Sequence, residues 1–161
     1  MPMHPPKEPR KKKKKYDLQL KVKRLTKTAK LPTKAHDTDA CFDVYSDKDC
    51  WISTRGSFSI STGISVQTPP GYHLEIRPRS SISKTCLAIT NSPGTVDAGY
   101  TGEVKILIRN YNSWGGGDIL INKGDRIAQI RLERDWDTEI VEVDELEEMD
   151  RGDNGFGSTG K

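Results

Sequence analysis

No stretch of this chain approaches the roughly 20 consecutive apolar residues that a bilayer-spanning helix needs, and its N-terminus lacks the apolar core of a secretory signal. A soluble intracellular protein, cytoplasmic or nuclear and without membrane contact, is the expectation. Cysteine is scarce. Cys41, Cys50 and Cys86 are odd in number and lack the C-x-x-C spacing of a tetrahedral zinc site or redox pair, so they read as reduced thiols. Apolar residues make up only 33% of the 161, which is lean for a large core. One compact domain is expected, with partner subunits supplying extra burial. Neither an internal repeat nor a convincing long helix is present.

What the chain does have is 14 glycines and 9 prolines, many of them between short β-branched runs. That pattern favours many turns and short strands. Leu18, Leu20 and Val22 alternate with Gln19, Lys21 and Lys23, the period of a strand with one buried face. Further strands are predicted at 42–45, 58–60, 64–67, 73–76, 104–108, 119–121 and 127–132. Turn clusters such as Thr68-Pro69-Pro70-Gly71 and Asn91-Ser92-Pro93-Gly94 separate them. The spacing points to an all-β sandwich or jelly-roll-like barrel. Residues 143–149 could form one helical turn, although their acidity equally suits a solvated connector.

The net charge of +3 conceals a strong asymmetry. Lys7, Arg10 and Lys11 to Lys15 form a basic arm, whereas 133–150 is dominated by Asp and Glu. The arm reads first as a solvated, disordered extension. Weak contact with nucleic acid, an anionic surface or an import receptor through Lys11 to Lys15 is the sharper reading.

The most informative stretch runs from Gly94 to Glu103. Three glycines, with Pro93 just before them, allow a tight hairpin in which Val96 anchors to the core while Asp97 and Tyr100 face a pocket. A carboxylate held there could orient or deprotonate a water. Arg77-Pro78-Arg79-Ser80-Ser81 ends a strand with two guanidinium groups and two hydroxyls suited to phosphate, although a solvated surface turn is the commoner fate of such a run. Gly124 to Gln129 begins as a turn and continues as a strand. The terminal run from Arg151 to Gly160 combines a cation, glycine-freed amides, two hydroxyls and the Phe156 ring. Such a backbone can cradle an anion, and such a ring can stack on a base. A P-loop is rejected, because Gly-Lys-Ser/Thr opening a helix is missing.

Asp43 within Asp39-Ala40-Cys41-Phe42-Asp43-Val44, then Pro78 to Ser81, Gly94 to Glu103, Gly124 to Gln129 and Arg151 to Gly160 occur in order. Together they resemble the five ordered motifs of the trimeric dUTP pyrophosphatase (dUTPase) family. The resemblance covers about residues 17–161, giving three regions: a basic arm at 1–16, a β-barrel domain at 17–150 and a flexible glycine-rich tail at 151–161. It implies a jelly-roll subunit with flexible extensions, in a homotrimer whose active sites each draw on all three chains. The implied activity is hydrolysis of dUTP to dUMP and pyrophosphate, which lowers dUTP and supplies dUMP for thymidylate synthesis.

By the same resemblance, Asp97 is the catalytic residue, holding the attacking water and bonding the sugar 3′-hydroxyl. Tyr100 packs under the deoxyribose and leaves no room for a 2′-hydroxyl. Asn91, with the hairpin backbone including Gly94 and Val96, reads the uracil edge. Arg79, Ser80 and Ser81 contact phosphates, and Gln129 helps place the α-phosphate and the water. In the tail, Phe156 stacks over uracil while Arg151, Gly157, Ser158 and Thr159 close on the terminal phosphates. Mg²⁺ is implied as cofactor, held by the phosphates and water without a direct protein ligand; Asp43 is at most an outer-sphere partner.

Two departures bear on local backbone geometry: Cys41 where glycine is usual, and Ser81-Ile82 for Gly-Leu. Cys41 reads as a buried thiol, and His36 and His73 as structural or surface residues. A dCTP deaminase is the nearest enzyme alternative, but its family lacks the Gly-Phe-Gly-Ser-Thr-Gly tail. A regulatory protein using the same fold as a switch for a protein partner is the other.

Overall fold

The computed structural model describes residues 16–113 and 115–148. All but Tyr16 of the expected arm at 1–16, and the tail at 151–161 with Arg151, Phe156, Gly157, Ser158 and Thr159, lie outside the described residues. Among the described residues ten strands form: β1 (Lys21–Arg24), β2 (Phe42–Tyr45), β3 (Cys50–Ile52), β4 (Ser57–Gln67), β5 (Tyr72–Arg77), β6 (Leu87–Ile89), β7 (Gly94–Val96), β8 (Glu103–Asn110), β9 (Ile119–Ile121) and β10 (Arg126–Arg134). A single 3-10 turn, Ser80–Lys84, interrupts them.

The fold is all-β and jelly-roll-like. One four-stranded sheet has the order β1-β4-β8-β6, a second has the order β2-β10-β5-β7, and β3 pairs with β9. β8 shows why the layers form: Val104, Ile106, Ile108 and Asn110 are buried, while Lys105, Leu107 and Arg109 face outward. These residues meet Val44, Leu74, Ile76 and Ile130 of the second sheet in one core cluster. The buried Asn110 amide is satisfied, donating to the Ile52 carbonyl at 3.0 Å and accepting from the Asn112 amide at 2.9 Å.

Two register shifts prepare the functional regions. The strands predicted at 58–60 and 64–67 are one long β4, shifted in register against β8 between Ser61 and Ser65. Gly63 lies in that shift with φ of +65°, and a Cβ there would come within 2.8 Å of the Asp47 carboxyl. The other shift, in β10 between Arg126 and Ala128, buries two successive residues, Ile127 and Ala128. It also turns Arg126 toward β2.

Several expectations are corrected. Strand pairing begins at Lys21 rather than Leu18, because β4 supplies its last partner at Gln67 before Pro69 and Pro70 end it. β3, β6 and β7 are three-residue strands, too short to show a period. No helical turn forms over 143–148. Asp144, Glu145, Glu147 and Glu148 would repel one another at helical spacing, and Val143 and Leu146, which would share a face, remain exposed and so do not offset the cost. Cys41 is half-buried rather than buried; Cys50 is buried, which raises its thiol above the ordinary value, and Cys86 is exposed.

Candidate functional site

The Gly94–Glu103 segment does not form the expected hairpin: β7 pairs with β5 whereas β8 pairs with β4 and β6, so the segment is a turn that carries the chain from one sheet to the other. Gly94 pairs with Ile76 and Val96 with Leu74, so β7 extends the β5 edge. Gly94 is buried under the Asn91 side chain: a Cβ at Gly94 would stand 3.0 Å from Asn91 Nδ2. Val96 is half-buried and packs on the core. Beyond it the chain turns, the Tyr100 amide donating to the Asp97 carbonyl at 3.0 Å. The Tyr100 hydroxyl donates to the Glu103 carbonyl, also at 3.0 Å.

These contacts shape a cleft of about 310 Å³, lined among others by Asn91, Val96, Asp97, Tyr100, Glu103 and Lys105. Asp97 is exposed at it, so its carboxylate is available to water. One surface thus offers a proton acceptor, an amide with both donor and acceptor, and a ring. That combination suits a small polar ring compound with a bond to be hydrolysed.

A second cluster is organised by Asp43. Its carboxylate is buried, and Gln129 stands directly across the β2–β10 ladder from it. Arg79 Nε donates to Asp43 Oδ1 at 2.9 Å, Gln129 Nε2 to the same oxygen at 3.3 Å, and Arg126 Nη1 to Oδ2 at 3.4 Å. Arg79 Nη1 also donates to Ser81 Oγ at 3.1 Å. Arg79, Ser81, Asp125 and Arg126 rim a cleft of about 330 Å³ whose floor includes Ile108 and Ile121. Two guanidinium groups converge on the Asp43 carboxylate beside Asp125, and guanidinium N–H groups turned toward the cleft suit the oxygens of an anionic ligand.

Arg77 is separate from this cluster. Its Nε donates to Glu75 Oε2 at 2.7 Å, and that hydrogen bond with the guanidinium charge holds the Glu75 carboxyl below its ordinary value. Of the two arginines expected to face phosphate, only Arg79 reaches the cleft rim. Ser80 opens the 3-10 turn and is exposed. His73 pairs with Asp135 at 2.5 Å, and His36 is exposed.

The single chain therefore brings Asn91, Gly94, Val96, Asp97 and Tyr100 together, and separately Asp43, Arg79, Ser81 and Gln129. The two clefts have no lining residue in common. Sequence reasoning gave no role to Arg126 or to the Glu103 side chain. Arg126 is aimed at Asp43 by a bulge that no local pattern announces. The Glu103 side chain makes its contacts with β4, about forty residues away in sequence, where no local pattern announces them.

A jelly-roll-like all-β subunit with a carboxylate-bearing cleft at a turn between its sheets and a separate arginine-rimmed cleft has the features of a class that handles small anionic metabolites. The comparisons narrow that class. The family model described as dUTPase matches residues 27–160. A deoxyuridine 5′-triphosphate nucleotidohydrolase of Clostridium tetani is 43% identical over 143 residues, covering 88% of this chain and 97% of the relative. The Staphylococcus bacteriophage 80alpha dUTPase with dUPNHPP, one of the phage dUTPases said to control transfer of virulence genes by a G protein-like mechanism, superposes with a TM-score of 0.78 at 32% identity. That match covers 89% of this chain and 99% of the phage chain. A mutant dUTPase from phage phi11 of S. aureus, whose structure details the coordination of a structural Mg(II) ion, has a TM-score of 0.73 at 29% identity, covering 80% and 98%. The chain belongs to the dUTPase family.

Proposed function

We propose that this chain hydrolyses dUTP to dUMP and pyrophosphate, with Asp97 as the group that holds and deprotonates the attacking water. The observation that carries this reading is the cleft in which Asp97, Asn91 and Tyr100 converge around the turn between β7 and β8. In the reaction the water oxygen bonds to the α-phosphorus, the bond to the α,β-bridging oxygen breaks, and the water proton passes to Asp97. Asn91, with the backbone around Gly94 and Val96, reads the uracil edge, and Tyr100 lies under the deoxyribose.

Arg79, Ser80 and Ser81 bind phosphate oxygens, and Gln129 orients the α-phosphate and water. The tail residues Arg151, Phe156, Gly157, Ser158 and Thr159 cover the nucleotide and exclude bulk water. Mg²⁺ fits as a ligand-borne ion. The oxygens of Asp43 already accept from Arg79, Arg126 and Gln129, so Asp43 joins its shell through water without giving up these donors. When bound, the ion drains charge from the departing pyrophosphate.

Because the Asp97 and Arg79 clefts are separate, a complete site needs more than one chain, in keeping with a homotrimer. Uncovered apolar surface supports assembly. Trp136, Ile140 and Leu146 are 75%, 96% and 85% exposed. An apolar groove of about 650 Å³ runs past Tyr16, Leu18, Leu31 and Phe42. Light scattering at micromolar concentration should return three times the chain mass; a monomer mass contradicts the assembly.

The charge run Lys11 to Lys15 carries the proposal of a weak contact with nucleic acid or an import receptor, in an intracellular enzyme. Deleting residues 1–15 should abolish any salt-sensitive oligonucleotide binding, and unchanged binding would remove that role. Among the described residues no helix is long and apolar enough to cross a membrane. The decisive assay is pyrophosphate release from dUTP, dCTP, dTTP and UTP, with and without Mg²⁺. Orthophosphate release, or equal turnover of dCTP or UTP, would overturn the assignment.

A further inference from the structure

We infer that Gly102 and Glu103 are positioning residues for the Tyr100 ring, and that the placement they impose sets the preference for deoxyribose over ribose. The inference rests on the dUTP-hydrolysing reading above and adds the device that holds the discriminating ring. Tyr100 is 49% exposed, so burial does not fix it. Contacts do.

A Cβ on Gly102 would stand 2.5 Å from the Tyr100 hydroxyl oxygen, 2.6 Å from Cζ and 3.0 Å from Cε2. The hydroxyl end of the ring therefore occupies space that any side chain at Gly102 would claim. Its hydroxyl donates to the Glu103 carbonyl at 3.0 Å, and its own amide donates to the Asp97 carbonyl at 3.0 Å. The residue is thus anchored through its backbone amide and, at the far end of its ring, through its hydroxyl.

Glu103 is itself clamped to β4. Its Oε1 accepts the Gly63 amide at 2.9 Å and the Ser61 hydroxyl, across the β4 register shift. On the other side of Gly102, the Thr101 carbonyl accepts the Ser65 hydroxyl at 2.6 Å. The residues flanking Gly102 are thus fixed to one strand, and the peptide segment cannot slide to make room for a methyl group. Gly102→Ala must displace the ring, which moves the surface on which the sugar sits.

The test measures kcat/KM for dUTP, UTP and dCTP with the full chain. Gly102→Ala should lower the dUTP:UTP preference by roughly tenfold or more, while the dUTP:dCTP preference, set by the base edge, stays within about threefold. Tyr100→Phe keeps the ring but frees it from Glu103, and Glu103→Gln weakens the clamp. Both should lower the same ratio by a smaller factor, and they carry the test if Gly102→Ala does not fold. Variants that fold and keep the wild-type dUTP:UTP ratio overturn the inference, as does a parallel loss of both ratios. A wild-type chain without dUTP turnover refutes the functional reading instead. The latch is then judged by tyrosine ring resonances in NMR, which should shift in Gly102→Ala and whose constancy overturns it.

Discussion

Replacing Asp43 by alanine should destabilise the subunit and weaken catalysis together, because one buried carboxylate holds three strands' functional groups. Asp43 lies on β2, Gln129 and Arg126 on β10, and Arg79 just beyond β5. Breaking a fully buried ion pair costs about 3 to 5 kcal/mol, mostly through the charge left behind. The strongest contact here, 2.9 Å from Arg79, involves a guanidinium that is 21% exposed, and Arg126 is 49% exposed, so water recovers part of the loss. The contacts at 3.3 and 3.4 Å are long and add little. A net loss of about 2 to 3 kcal/mol follows, or roughly 4 to 12 °C in Tm at fixed protein concentration. Urea unfolding with linear extrapolation measures it. Asp43→Asn, which keeps the shape and one carbonyl oxygen, should lose less. A change under about 0.5 kcal/mol for Asp43→Ala, the scatter of an ordinary surface substitution, would refute the reasoning.

Asp97→Asn keeps size and hydrogen-bonding reach but removes the base, so kcat should fall by about two orders of magnitude or more while nucleotide binding persists; near wild-type turnover would remove Asp97 from the mechanism. Arg77 depresses the Glu75 carboxyl, so the pair's contribution is complete above the unfolded value near about 4.3 and is lost as pH falls through the lower folded value. Glu75→Gln should therefore be less stable than wild type at pH 7, with the difference vanishing in acid; a constant difference across the titration would contradict that sign. Removing everything after Asp150 should leave Tm almost unchanged yet collapse activity, and Phe156→Ala should cost about 1 to 3 kcal/mol of nucleotide stacking. Full activity in the truncated chain would exclude the tail from the site.

The sequence alone determined the all-β character, because strict alternation in β8 and short β-branched runs between Gly and Pro clusters are local signals. It also determined the grouping of Asn91, Gly94, Val96, Asp97 and Tyr100, since residues within one short turn segment stay together in space whichever strands flank it. Pairings across long separations are written in no local pattern. Asp43 meets Arg79 and Gln129 at separations of 36 and 86 residues, and Glu103 meets Gly63 at 40. Those meetings depend on which strand edges find each other and on the register shifts in β4 and β10. Only the tertiary structure could decide them, together with the division of the site residues between two clefts, because side-chain direction after a bulge is set by the partner strand.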